Sequence, residues 1–140
     1  MLLMRQEGTS ARVMSCPPKR QHMVKVYRAS DSEGIDKQGY SAKYVADIVF
    51  RSPVGTAGVI LVNLAAGKRT APHSHSHLDE LFVASGPARI GVDAKVHDLE
   101  TGDVLLVERS EVHWMEAPAD RNVTLLAMKL PNIKTDKVDH

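Results

Sequence analysis

The chain has 140 residues and a formal net charge of +1. That size suits one domain with its own core, and the balanced charge argues against a nucleic-acid or membrane-binding surface. The single cysteine, Cys16, rules out an intrachain disulfide and fits a reducing compartment, so a cytoplasmic location is expected. No apolar run approaches the length of a membrane span, and Met1-Leu2-Leu3-Met4 is too short for a signal-peptide core.

Residues 1–22 show no sustained period and contain Pro17-Pro18, so an N-terminal arm is expected ahead of a domain at 23–130. Short strand-like runs dominate that domain. They are 24–28, 44–51, 59–64, 81–84, 88–92, 95–98, 104–107, 113–117 and 123–129. Turn signals separate them, among them Ser52-Pro53-Val54-Gly55, Ala66-Gly67-Lys68, Ser85-Gly86-Pro87 and Thr101-Gly102-Asp103. The stretch 30–43 is the one candidate for a helix, and its polarity leaves even that open. The polar tail 131–140 is expected to lie on the surface. Many short strands with turns between them predict an all-β fold, an antiparallel sandwich or barrel.

The densest chemical signal is His73-Ser74-His75-Ser76-His77-Leu78-Asp79-Glu80, where three of the seven histidines fall together beside a carboxylate. Imidazole is the commonest transition-metal ligand, and a carboxylate completes the set. On a strand, residues two apart share a face, so His73 and His75 can reach one ion together. His77 has the same parity, which makes His75 and His77 a competing pair, and Asp79 competes with Glu80. Glu80 follows the corner Leu78-Asp79 and can face the histidines from a neighbouring strand. His113 opens another run after Ser110-Glu111-Val112. Three imidazoles and one carboxylate would leave two positions of an octahedral ion open for water or substrate. The isolated His22, His97 and His140 read as surface or hydrogen-bonded residues.

At this point the sequence resembles the cupin superfamily, whose first motif is commonly G-x5-H-x-H-x3–4-E-x6-G. Here Gly67, His73, His75, Glu80 and Gly86 follow that order, the last interval one residue short. The second motif is commonly G-x5-P-x-G-x2-H-x3-N. Gly102, Glu108, Ser110 and His113 keep its spacing, with Glu108, Ser110 and Ala117 replacing the usual proline, glycine and asparagine. These departures fall at turn and packing positions, so no ligand position is lost. The resemblance covers 67–117, and the short spacer between the motifs matches small microbial cupins. It implies a single cupin barrel of double-stranded β-helix, jelly-roll type. It favours His73, His75, Glu80 and His113 as ligands of one divalent transition metal. Fe, Mn or Ni is favoured, with Zn or Cu allowed. It also implies a homodimer.

Parity extends the site. If Glu80 faces inward, so do Phe82 and Ala84; if His113 does, so does Met115, with Trp114 outward. Phe82 and Met115 are therefore expected to line the pocket. For the run 59–64 the sequence allows Val59, Leu61 and Asn63 inward or the opposite face. Trp114 is expected to pack against a second layer or a partner subunit. Arg51, at a strand end, is a candidate partner for a substrate carboxylate or phosphate, its plainer reading being a solvated strand end. His77 is the candidate general acid/base near the ion, its plain alternative an exposed corner histidine. A divalent ion with one carboxylate leaves the site near about +1, which favours an anionic small-molecule substrate.

Fold does not determine reaction. The expected function is a metal-dependent enzyme of oxygenase or dioxygenase type acting on a small anionic metabolite. The alternatives are an isomerase or lyase using the ion as a Lewis acid, and a non-catalytic small-molecule-binding or sensory module. Neither nucleic acid nor membrane is expected as a partner.

Overall fold

In a computed structural model of the chain, residues 25–140 are described; the expected arm at 1–22 lies outside them. Among the described residues twelve strands run in the order β1 (Lys25–Tyr27), β2 (Gly34–Lys37), β3 (Tyr40–Lys43), β4 (Gly58–Leu64), β5 (His73–Ser74), β6 (Asp79–Ala84), β7 (Ala88–Val92), β8 (Lys95–Leu99), β9 (Val104–Val107), β10 (His113–Glu116), β11 (Val123–Leu130) and β12 (Val138–Asp139). All pairings are antiparallel. One five-stranded sheet has the order β1-β9-β6-β11-β4 and a second the order β12-β5-β10-β7-β8. The fold is the expected all-β barrel of two sheets. Among the described residues no helix is long and apolar enough to cross a membrane.

The two sheets close on one core. From the first sheet come Leu64, Phe82, Ala84, Leu105, Val107, Leu125 and Ala127; from the second, Ala88, Ile90, Val92, Leu99 and Met115. Alternation along each strand supplies this face. The first sheet is apolar on its other face too, through Leu81, Val104, Leu106 and Leu130. That face is covered by Val45, Ala46, Ile48, Phe50 and Val54. Here the expected strand at 44–51 is corrected. The segment has no strand hydrogen bonding. Its alternating apolar residues cover a sheet rather than extend one, which periodicity alone cannot distinguish.

Three further points complete the fold. The stretch 30–43 is no helix: it holds a 3₁₀ turn at Ala29–Asp31 and the exposed hairpin β2–β3, which reverses beside Gly39 at φ 84°. Strand β4 turns Val62 and Leu64 to the core, so of the two parities the one with Val59, Leu61 and Asn63 outward is realised. The tail returns as β12, paired to β5.

Two contacts reinforce the sheets, one in each. Trp114, outward as expected, lies opposite Gly91 on β7 and under the Arg69 guanidinium, 3.8 Å from the ring centroid. A Cβ at Gly91 would overlap the indole, so glycine makes that packing feasible. The buried Asp103 carboxylate accepts from the Ala29 and Glu100 N–H groups, both at 3.0 Å, and from Arg28 Nη1 at 2.6 Å. It thereby pins the end of β1 to the turn before β9.

Candidate metal centre

His73 on β5 and His113 on β10 are direct cross-strand partners. Cross-strand partners share a face, so both rings enter the barrel. His75 follows on the same parity, just past the end of β5. Glu80 enters from β6 in the other sheet, on the face that carries Phe82 and Ala84. One ligand atom from each of His73, His75, Glu80 and His113 lies within 4.8 Å of the others, and all four side chains are buried. His75 Nε2 and His113 Nε2 each stand 3.0 Å from the same oxygen, Glu80 Oε2. The His73 and His113 ring centroids are 4.3 Å apart.

The rings are held from behind. His73 Nδ1 meets the Ala71 carbonyl and His113 Nδ1 the Glu111 carbonyl, each at 3.2 Å; His75 Nδ1 meets the Asp136 carbonyl. A carbonyl only accepts, so each Nδ1 carries a proton and Nε2 faces the cluster, where it donates to Glu80 when protonated, as from His75 and His113, and can ligate an ion once that proton is lost. Three oriented imidazole nitrogens and one carboxylate oxygen fit a divalent transition ion.

The same contacts set the charges of the cluster. Burial works against the charge on Glu80, but hydrogen bonds from His113 and His75 outweigh it and hold the carboxyl down at about 2. It is therefore anionic at neutral pH. Burial also disfavours the charged form of His75, yet its bonds to Glu80 and the Asp136 carbonyl move its pKa upward overall. His73 goes the other way, lowered by burial and by the neighbouring His113 and His75 against the Ala71 bond.

The remaining candidates fall in different places. Phe82 is fully buried with its ring edge-on to His113, centroids 5.9 Å apart. Met115 is buried in the same core. Asp79, the competitor of Glu80, points to the opposite face of β6, where its carboxylate accepts from the Arg109 N–H at 3.1 Å. Arg51 lies on that face as well. It pairs with Glu108 at 3.3 Å and borders a cavity of about 130 Å³ with Asp79 and Arg109. His77 is not brought into the cluster: its side chain is 76% exposed, and its Nδ1 lies 3.2 Å from an Asp136 carboxylate oxygen.

Two residues were missed from sequence. Lys129 is the cross-strand partner of Glu80 and shares the face of Leu125 and Ala127. It forms no ion pair among the described residues, and its charge acts on His75. The parity of the run 123–129 carries this signal. Asp136 sits in the polar tail, where no local pattern points to the histidines.

The family model of the cupin domain matches residues 60–129, and the chain belongs to the cupin superfamily. Solved structures share its fold. A conserved protein with a double-stranded β-helix domain from Klebsiella pneumoniae is 18% identical with a TM-score of 0.55, the match covering 64% of this chain and 78% of that one. For the oxalate decarboxylase of Lactobacillus farciminis the values are 19%, 0.54, 60% and 26%. For a DMSP lyase from Ruegeria pomeroyi they are 20%, 0.53, 59% and 42%. The chain thus spans less than half the length of the last two. At these identities the likeness is one of fold. No curated protein matches the sequence significantly.

Proposed function

We propose that this chain is a metal-dependent cupin enzyme of oxygenase type, acting on a small anionic metabolite. The observation that carries the reading is the buried convergence of three imidazoles and one carboxylate. In this reading His73, His75, Glu80 and His113 hold one divalent ion, Fe, Mn or Ni before Zn or Cu. The ion supplies Lewis-acid polarisation and, if redox-active, an electron-transfer centre beside the substrate. Phe82 and Met115 form the apolar wall. Lys129, beside Glu80 and without an ion-pair partner among the described residues, meets the substrate anion; Arg51, on the far face of β6, does not. An isomerase or lyase would need a base at the ion, and His77, the candidate for it, faces solvent. That favours the oxygenase reading, with His77 holding the loop rather than moving the proton.

Metal analysis of untagged protein tests the site, and uptake of one divalent ion per chain is expected. His113→Ala should lower occupancy as much as His75→Ala, each by about tenfold or more, although the two lie far apart in sequence. A chain that takes up no first-row ion would overturn the reading. The reaction type is tested separately with nitric oxide as an O₂ surrogate. The Fe(II)-loaded protein should give the EPR signal of a nitrosyl adduct, and its absence would remove the oxygenase assignment.

A further inference from the structure

The three ring anchors differ in origin. Those of His73 and His113 come from two residues back and are built into the strand starts. His75 lies past the end of its strand, and its anchor comes from the C-terminal tail, sixty-one residues on. The tail does more than supply one carbonyl. The half-buried Asp136 carboxylate accepts from the N–H groups of Ser76 at 3.2 Å and His77 at 2.6 Å, and contacts His77 Nδ1. Beyond it, β12 pairs Val138 with Ser74 and Asp139 with His73. His140 Nε2 reaches Ser74 Oγ at 2.8 Å, and the His140 N–H reaches the Pro72 carbonyl. The tail therefore borders the whole stretch from Pro72 to His77.

We propose that the C-terminal segment 134–140 is part of the metal centre, and that Asp136 is the positioning residue that keeps His75 in its ligating orientation. An imidazole on an unsupported turn samples several rotamers and both tautomers. Asp136 removes that freedom at two levels. Its carbonyl fixes the ring, and its carboxylate caps the turn that carries the ring. Removing such a support typically weakens metal binding by about 10- to 100-fold. The inference rests on the metal-binding reading above and adds a part of the chain outside the cupin motifs.

The test is Co(II) titration, read by the visible absorption of the bound ion, with melts of the metal-free variants alongside. Asp136→Ala should weaken Co(II) binding by about tenfold and shift the absorption band. Asp136→Asn, which keeps an acceptor oxygen for one of the two N–H groups of Ser76 and His77, should recover part of the affinity. Asp120→Ala, an exposed carboxylate paired with the neighbouring Arg121 and remote from the cluster, should bind as wild type does. In a His75→Ala background, Asp136→Ala should add little further loss, because the two act through one ligand. A loss that adds in full, or an Asp136→Ala protein that binds Co(II) as wild type does, would overturn the proposal while leaving the metal site standing. Wild type that binds no metal would overturn both. If Asp136→Ala does not fold, Asp136→Glu replaces it: the displaced carboxylate should shift the Co(II) band, and an unshifted band counts against the role.

Discussion

Ser110 occupies a left-handed backbone conformation, φ 68°, at the position where the cupin motif usually carries glycine. Its N–H donates to the His75 carbonyl at 2.7 Å, so the strain is held at a junction between the two motifs. A non-glycine residue there costs about 1–2 kcal/mol, partly offset by the extra freedom a glycine would lose on folding. Ser110→Gly should therefore raise the unfolding free energy by up to about 1 kcal/mol in denaturant titration, with metal affinity unchanged. Gly67 and Gly102, the other motif turns, have φ 70° and 89°, which is why those letters were readable. Asp103 yields a pH-dependent prediction. Burial raises its pKa, but the N–H groups of Glu100 and Ala29 and the Arg28 guanidinium outweigh that and lower it. A lowered native pKa stabilises the fold above the usual carboxylate value, and the gain is lost as pH falls through the native one. Asp103→Asn should melt below wild type at about pH 6, and the gap should close toward about pH 3 or lower.

Strands were legible where both periodicity and turns agreed, as in β7, β8 and β9. The segment 44–51 was not, because covering a sheet and joining it demand the same apolar alternation. The parity of β4 was also open: at an edge strand, Val59 and Leu61 remain exposed while Val62 and Leu64 pack inward. At the β7–β10 pair the sequence hides a size constraint. Gly91 reads as a weak point in a strand, yet it makes room for Trp114. Gly91→Ala should cost about 1–3 kcal/mol through overpacking, seen as a lower melting temperature. Arg69→Ala, which removes the half-exposed cation from the ring together with its 2.7 Å pair to Glu116, should cost about 0.5–1 kcal/mol.

Across the whole molecule, the barrel and its four convergent side chains were legible because ligand spacing and strand parity are local properties. Lys129 and Asp136 were not read, because only closure of the barrel and return of the tail bring them to the histidines. That same long-range assembly has a kinetic consequence. His73 and His113 belong to one sheet, Glu80 to the other, and the support for His75 to the chain's end. A bound ion would staple the two sheets together, and no half-formed barrel offers it the complete set. Interactions absent from the folding transition state slow unfolding and leave folding unchanged. Metal should therefore lengthen the lifetime of the native state in stopped-flow unfolding without accelerating refolding. The metal centre would then act as a latch on a barrel that has already closed, rather than as a nucleus around which it forms.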